Sequence, residues 1–336
     1  MDGSKFSSAI ERKPIRIVVQ SKILSLAFLL DGQHFVNGDD DGKIRCWWME
    51  DGKEVGTPMN VGSPVRTIAV SRDGKWIVAG TESGQVVVWD AESRKQVNKF
   101  KAHKKGVNVL VDVSPDGTKI ATGSDDKAAR VWSLPDGTWL KGWRYDEPVH
   151  TVKFSSDGGL LAVGAECEGG GGAALRIYEG QDGRYLGGTY ISARSVAWAN
   201  DNQLFALSSD GNIHCLDASS QATISRWPIH ANDSPRCISV SSNCSFVAVC
   251  ANSSVSFWDT VTHEQVRFVI RHPDPVACMA VSPNHDLVIA GSSNIALWDL
   301  RTVLPTPYIG DQVGGSSIPW VTSSIHFVHY NRDSPE

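Results

Sequence analysis

Residues 71–90, SRDGKWIVAGTESGQVVVWD, contain the pattern that decides the fold. A turn that ends in glycine is followed by a short apolar stretch, a second turn with glycine and another apolar stretch that ends in Trp-Asp. Residues 114–133, SPDGTKIATGSDDKAARVWS, follow the same order with SDDK at the second turn and Trp-Ser at the end, and in both copies the tryptophan lies 16 residues after the turn aspartate. Short apolar stretches separated by glycine-containing turns are typical of antiparallel strands. The two copies therefore predict a repeated hairpin unit.

The first turn recurs along the chain at intervals of 41 to 44 residues. It reads LLDG at 29–32, SRDG at 71–74, SPDG at 114–117, SSDG at 155–158, ANDN at 199–202, SSNC at 241–244 and SPNH at 282–285. An anchor pair follows each turn: Trp47-Trp48, Trp89-Asp90, Trp132-Ser133, Tyr178-Glu179, Leu216-Asp217, Trp258-Asp259 and Trp298-Asp299. Because seven copies stay in phase, the sequence predicts an all-β, seven-bladed propeller with four-stranded antiparallel blades.

The stretch before each turn has the alternation of a buried strand. In the second copy Ile68 and Val70 are large and apolar, with the small Ala69 between them. The small position is charged in two neighbouring copies, where Asp112 and Lys153 stand. Burial of a single unpaired charge is costly, so we expect these two side chains to pair near the central channel.

These units resemble WD40 repeats, and similar repeats occur in fungal WD40 proteins. The resemblance covers residues 15–300 and implies a set of hydrogen bonds within a blade, from a histidine before the inner strand to a Ser or Thr, a turn Asp and the strand Trp. Only the third copy carries the whole set, as His103, Thr122 or Ser124, Asp126 and Trp132.

The expected organisation is a flexible N-terminus at 1–14, the propeller at 15–300 and a C-terminal tail at 301–336. The strand-like stretch Ile15–Val19 precedes the first unit and has no blade of its own. We expect it to close the last blade, as N-terminal strands commonly do in the family that the repeats resemble. The alternative closing strand is Ser324–Tyr330, which is also rich in strand-forming residues.

Composition argues against several classes of function. The 32 Lys and Arg residues against 37 Asp and Glu leave a net charge of −5, which does not favour nucleic-acid binding. No phosphate-binding loop, nucleophile elbow or metalloprotease motif is present in the sequence. We therefore expect no enzyme activity, no cofactor, no metal and no membrane binding. The seven cysteines lack paired spacing and are expected to be reduced, including the trio Cys237, Cys244 and Cys250. The expected location is the cytoplasm, with the nucleus as an alternative.

The fourth unit departs from the repeat and is the candidate partner site. The loop before its first strand contains Trp143, Arg144 and Tyr145, and Trp and Arg are common at binding hot spots. Its hairpin carries Glu166 and Glu168 before four glycines, and these carboxylates suit a basic partner. The alternative is that Trp143 covers the core of its own blade.

The function implied by the resemblance is a non-enzymatic scaffold for other proteins, as a monomeric propeller within a complex. One alternative is a substrate receptor of a cullin-4 ubiquitin ligase, because Trp298-Asp299-Leu300-Arg301 matches the Trp-Asp-x-Arg ending of that class and makes Arg301 a candidate partner contact. Another is a ligand-sensing propeller similar to those of fungal NACHT-type receptors.

Overall fold

A computed structural model describes residues 14–104, 108–167, 174–229, 235–282, 286–291 and 293–309. The strands of these residues form four-stranded antiparallel sheets. None of the helices in these ranges is long and apolar enough to span a membrane.

Six of the sheets, called blades 1 to 6, are each formed by four consecutive strands. Blade 1 contains β2 (Ile23–Phe28), β3 (His34–Asp39), β4 (Lys43–Trp48) and β5 (Met59–Asn60); blade 2 contains β6 (Val65–Val70), β7 (Trp76–Thr81), β8 (Gln85–Asp90) and β9 (Gln96–Lys101); blade 3 contains β10 (Val109–Val113), β11 (Lys119–Ser124), β12 (Ala128–Ser133) and β13 (Trp139–Arg144). Blade 4 contains β14 (Val149–Phe154), β15 (Leu160–Ala165), β16 (Leu175–Glu179) and β17 (Tyr185–Thr189); blade 5 contains β18 (Ala193–Trp198), β19 (Gln203–Ser208), β20 (Asn212–Asp217) and β21 (Ala222–Pro228); blade 6 contains β22 (Pro235–Val240), β23 (Phe246–Ala251), β24 (Ser254–Asp259) and β25 (Gln265–Arg271).

One further sheet, the composite blade, takes strands from both ends of the chain. Its order is β1 (Ile15–Val18), β28 (Asn294–Asp299), β27 (Asp286–Ala290) and β26 (Cys278–Val281).

The prediction of a seven-bladed propeller is corrected at this point to six blades. A continuous stretch of chain completes a four-stranded sheet six times, and the composite blade is not a unit of that kind. The reason is local: after β28 the chain turns into a 3-10 helix at Leu300–Thr302 and a short helix α1 at Thr306–Ile309. Pro305 stands where an outer strand would pair, and proline has no N–H for such a ladder.

The first strands of the sheets surround a central channel. The strands β2, β6, β10, β14, β18, β22 and β26 each contact the next, and β26 contacts β2, so the ring is closed. One small sheet cannot bury both of its faces, and stacking in a ring supplies the missing contacts. For example, Ile44 of blade 1 packs with Ile68 and Trp89 of blade 2 in one cluster.

The N-terminal strand closes the ring. Ile15 to Val18 pair antiparallel with Leu297 to Asn294, and the side chain of Ile17 is buried against Cys278 and Ile295. The prediction of an N-terminal closing strand is thus confirmed. The alternative at Ser324–Tyr330 lies outside the described residues, as do residues 1–13 of the expected flexible N-terminus.

The first part of the predicted C-terminal tail lies against blade 6. Leu300 and Leu304 are buried in the apolar cluster of that blade. The Asn243 Nδ2 atom donates a hydrogen bond to the Tyr308 carbonyl over 3.0 Å, and the Ser245 hydroxyl donates to the same carbonyl over 2.9 Å.

The charged pair predicted near the channel is present. Lys153 Nζ lies 2.9 Å from Asp112 Oδ1, and the backbone N–H of Phe154 donates to Asp112 Oδ2 over 2.9 Å. Both side chains are buried. Burial raises the pKa of the Asp112 carboxyl, and the positive charge of Lys153 opposes that shift.

The prediction for the cysteines of blade 6 is corrected. Cys237 and Cys250 are direct partners across β22 and β23 and form a disulfide, with 5.5 Å between their Cα atoms. The third cysteine of the trio, Cys244, stands apart and donates from its thiol to the Ala199 carbonyl over 2.6 Å. The paired cysteines are 13 positions apart in the sequence, and only the antiparallel register of the two strands brings them together.

Candidate functional site

The hydrogen-bond set expected in blade 3 is brought together around Thr122. His103 Nε2 lies 2.8 Å from the Thr122 hydroxyl, and the indole N–H of Trp132 donates to that hydroxyl over 3.0 Å. His103 Nδ1 lies 2.9 Å from Asp126 Oδ1. Ser124 joins through its hydroxyl, which accepts from the backbone N–H of Asp126 over 3.2 Å. These contacts tie β11, β12 and the loop before β10 into one unit, so the set is structural.

The two ionisable members of this set have shifted pKa values. Burial lowers the pKa of His103, although Asp126 opposes this. Burial alone would raise the pKa of the Asp126 carboxyl, but the hydrogen bond from His103 and the charges of His103 and Arg130 outweigh it and lower the pKa to about 2. Both shifts mean that the folded state binds fewer protons than the unfolded state, so acid weakens the fold.

Replacing Asp126 with Asn is expected to lower the free energy of unfolding by about 1–3 kcal/mol at neutral pH, because hydrogen bonds to a charged group are lost. A carboxyl with a depressed pKa stabilises the fold above its unfolded pKa of about 4, and this contribution disappears as the pH falls toward 2. The difference in urea unfolding between the wild type and Asp126→Asn should therefore shrink from about pH 6 to about pH 3. A difference that stays constant over that range would contradict this account.

The predicted partner residues Trp143 and Tyr145 are used inside the fold. Trp143 belongs to the outer strand β13 of blade 3, and its ring packs at a tilt against that of Tyr178 of blade 4 with 4.1 Å between centroids. Tyr145 is buried, and its hydroxyl lies 2.9 Å from the Tyr178 hydroxyl. Burial, together with Tyr178, raises the pKa of Tyr145 well above its ordinary value. These rings join blades 3 and 4, in agreement with the alternative that Trp143 covers a core.

The charged members of the predicted partner site are spread around this contact. Arg144 is exposed, and its guanidinium lies 3.4 Å from the Asp126 carbonyl. Glu166 is half-buried and lies 3.6 Å from His150 Nε2. Glu168 lies outside the described residues. Arg301 is exposed beyond the composite blade, where its guanidinium makes two contacts of 2.7 and 3.1 Å with the Asp299 carboxylate.

An exposed aromatic surface lies on the same two blades but at another position. Trp139 and Tyr185 are the first residues of the outer strands β13 and β17, and they are 59% and 53% exposed. Leu140, beside Trp139, is 43% exposed and lines a groove of about 240 Å³ between the two blades. We call Trp139, Leu140 and Tyr185 the outer aromatic surface.

The groove itself carries charges of both signs. Residues 179–183 form the wall from blade 4, opposite Leu140, Lys141 and Trp143. Lys119 Nζ donates to Gln181 Oε1 over 3.0 Å, and Lys141 Nζ contacts the Asp182 carbonyl. The backbone of Gly183 lies against the Trp143 ring, where a Cβ atom would come within 2.7 Å of the ring carbon Cζ2. The groove is thus built around the contact between the two blades, and Leu140 is the member of the outer aromatic surface that lines it.

Sequence reasoning missed this surface, although the repeat contains the signal for it. Trp139 and Tyr185 each lie seven residues after the anchor aromatic, Trp132 or Tyr178, and pair with it across the strands. The residues seven positions after the anchor in the other units are Glu54, Gln96, Thr223, Gln265 and Pro305. Aromatic residues therefore occupy this exposed position only in blades 3 and 4.

The described residues contain no group of three or more His, Cys, Asp or Glu side chains that could hold a metal ion. The contact of Lys153 with Asp112 near the channel and that of His103 with Asp126 in blade 3 each join two side chains within the fold.

Comparison with known proteins agrees with this architecture. Residues 13–47, 55–90, 94–133 and 263–299 match the family described as WD domain, G-beta repeat. The chain carries WD40 repeats. WD40 propellers generally act as non-enzymatic scaffolds that mediate protein interactions.

Several curated proteins are similar to parts of the chain. Eukaryotic translation initiation factor 3 subunit I of Aspergillus oryzae is 25% identical over 178 residues, which cover 53% of this chain and 44% of the relative. The protein of the same name from Aspergillus terreus is 46% identical over 54 residues, 16% of each chain. Protein groucho of Drosophila melanogaster is 33% identical over 70 residues, 21% of this chain and 10% of that protein. The chain thus spans less than half the length of these relatives.

The solved structure of U3-55K has the same fold. It superposes with a TM-score of 0.70 at 16% identity and covers 84% of this chain and 97% of its own. At this identity the likeness concerns the WD40 fold alone.

Proposed function

We propose that this WD40 chain is a protein-interaction scaffold that holds a partner on the outer strands of blades 3 and 4. The observation that carries the proposal is the outer aromatic surface. Trp and Tyr are the residue types most enriched at binding hot spots. Here they stand exposed at a position where the other units have Glu, Gln, Thr or Pro.

The support beneath these side chains favours binding of a partner. The Tyr185 ring lies 5.6 Å from that of Tyr178, which packs against Trp143, so Tyr185 rests on the aromatic contact between the two blades. A rigid aromatic side chain loses little conformational entropy on binding. The groove beside it offers Lys119 and Asp182 for polar contacts around an apolar centre, which is the usual arrangement of a protein interface.

The relatives support an assembly of several proteins, since those from Aspergillus are named as subunits of translation initiation factor 3. We therefore propose that this chain also acts as a subunit of a multiprotein complex.

Photo-crosslinking tests the location of the partner. A photoreactive amino acid at position 139 should capture a partner in cells, whereas the same group at position 261 should not, because Val261 is 84% exposed on a distant turn of blade 6. Equal capture at the two positions would contradict the proposed surface.

The partner identified in this way allows a quantitative test. Changing Trp139 and Tyr185 each to Ala should weaken its affinity about 30-fold or more, because truncation of a hot-spot aromatic costs about 2 kcal/mol or more. Val261→Ala is the matched control, and the melting temperature of all three variants should stay close to that of the wild type. Unchanged affinity in both aromatic variants would overturn the proposal.

A further inference from the structure

The outer strand of blade 3 leaves one of its edges unpaired. In the described sheet, β13 (Trp139–Arg144) has β12 as its only neighbour, and all of its residues except Trp143 are exposed. Directly after the strand, the backbone N–H of Tyr145 donates to the Lys127 carbonyl over 2.9 Å. This hydrogen bond, together with the strand register, shows which backbone groups of β13 face β12.

Two residues of β13 turn their backbone groups away from the blade. In an antiparallel pair, the backbone groups of alternate residues bond to the partner strand. In step with the hydrogen bond just described, these residues are Lys141 and Trp143, so the backbone groups of Gly142 and Arg144 face outward. The Arg144 carbonyl accepts from the Arg176 guanidinium over 3.4 Å. Among the described residues the other outward groups make no hydrogen bond, which leaves the Arg144 N–H and both groups of Gly142 for a further strand.

The outer strands of three other blades are protected against such pairing. In β9 the backbone N–H of Lys99 donates to the Asn98 side chain over 2.7 Å. In β17 the side chain of Gln221 lies against Gly187, and β21 ends with Pro228, which has no N–H. An unprotected strand edge can pair with another chain. Blade 3 therefore offers an edge that is covered or interrupted in blades 2, 4 and 5.

The side chains of β13 carry positive charge only, at Lys141 and Arg144. The Lys141 ammonium contacts the Asp182 carbonyl, and the Arg144 guanidinium lies 3.4 Å from the Asp126 carbonyl. Both acceptors are neutral, and neither cation forms an ion pair with a carboxylate of the described residues. The Asp182 carboxylate instead accepts from the backbone N–H of Arg184 over 2.7 Å. An acidic segment alongside β13 would therefore complement its charge.

We propose that the partner on blades 3 and 4 adds an extended acidic segment to β13, as a fifth strand of blade 3. This inference rests on the proposed function and names the kind of partner that the surface takes. The segment bonds through its backbone to Gly142 and to the Arg144 N–H, and the exposed Trp139 and Leu140 contact its side chains. Strand addition takes affinity from main-chain hydrogen bonds and specificity from alternate side chains. A nucleic acid lacks such a row of backbone N–H and C=O groups.

Photo-crosslinking identifies the segment and supplies the probe. The photoreactive amino acid at position 139 marks the peptide of the partner that it captures, and mass spectrometry reads the sequence of that peptide. A fluorescently labelled synthetic copy of it is the probe for the binding measurements. The captured peptide should contain Asp or Glu among residues that favour strands. A captured segment without acidic residues, or a captured nucleic acid, would overturn the assignment.

Changing Gly142 to Pro should weaken binding of this peptide about tenfold or more, corresponding to about 1.4 kcal/mol. Proline removes the outward N–H and its ring blocks the edge, whereas the pairing with β12 does not use that N–H. Val269→Pro is the matched control, because the N–H of Val269 also faces away from its sheet, on the outer strand β25 of blade 6. The control should bind the peptide like the wild type, and an equal loss in the two variants would contradict strand addition at β13.

The variant Gly142→Ala separates loss of the donor from the bulk of a new side chain. Alanine keeps the N–H, and its Cβ would lie 3.2 Å from Cγ of Arg130, a flexible side chain that can move. This variant should bind the peptide more tightly than Gly142→Pro. Equal affinities in the two variants would show that the lost donor does not matter and overturn the proposal.

Amide hydrogen exchange tests the same pairing in the wild-type protein. With saturating peptide, the N–H groups of Gly142 and Arg144 should exchange at least about tenfold more slowly, whereas the N–H of Val269 should keep its rate. Unchanged exchange at Gly142 and Arg144 with the peptide bound would end the proposal of strand addition and leave the outer aromatic surface as a partner site. Absence of any capture at position 139 would end both proposals.

Discussion

Replacing Lys153 with Ala is expected to lower the free energy of unfolding by about 3–5 kcal/mol, because the change leaves a buried carboxylate without its counter-ion. Asp112 and Lys153 are 6% and 8% exposed, and Lys153 Nζ lies 2.9 Å from the Asp112 carboxylate. Water cannot readily replace the missing ammonium group at such a site. Urea unfolding of the purified protein at neutral pH measures the effect.

The double variant Asp112→Ala with Lys153→Ala is the control for this prediction. The equivalent residues in blades 1, 2 and 5 are Ala27, Ala69 and Ala197, so the ring accepts alanine at this position. Removal of both charges should recover most of the stability lost in Lys153→Ala, which gives a large coupling energy in a double-mutant cycle. Loss of less than about 1 kcal/mol in the single variant would show that the pair contributes little.

Changing Ile17 to Asp is expected to lower the free energy of unfolding by about 4 kcal/mol or more, since a charge replaces an apolar side chain inside the closing blade. Ile17 is 7% exposed and lies opposite Ile295 in the pairing of β1 with β28. Release of β1 would also expose the edge of β28, and an exposed edge favours association with other chains. Urea unfolding and size-exclusion chromatography measure the two consequences.

The neighbouring variant Val18→Asp is the matched control. Val18 lies on the same strand and is 78% exposed, so the same aspartate there meets water. Its effect should stay within about 1 kcal/mol of the wild type. If the two variants lose equal stability, the effect comes from strand propensity or net charge, and the inward packing of Ile17 is not what closes the ring.

The sequence by itself determined the repeated architecture. The glycine-containing turns and the anchor residues lie within one unit, and local turn geometry and strand alternation depend on neighbouring residues. The same holds for His103, Asp126 and Trp132, whose spacing within one unit predicts which side chains belong together. The pair Asp112 and Lys153 was also predictable, because each breaks the pattern at the same position of adjacent units.

Contacts between units required the tertiary structure. Tyr145 belongs to a residue type that is common at binding sites and was predicted to lie in a binding loop. Its hydroxyl instead lies 2.9 Å from that of Tyr178, 33 residues later, because blades 3 and 4 pack together. Cys237 and Cys250 have no paired spacing and meet only through strand register. The same limit applies to the last repeat, where the chain leaves the sheet after β28 and the N-terminal strand completes it.

The outer aromatic surface is likewise visible in part in the sequence and decided in part by the tertiary structure. The position of Trp139 and Tyr185 in the repeat is visible in the sequence, but their exposure depends on how the outer strands of two blades lie beside each other. A repeat pattern specifies the local hydrogen bonds and apolar faces of a blade, whereas the meeting of distant side chains is decided by how the blades stack.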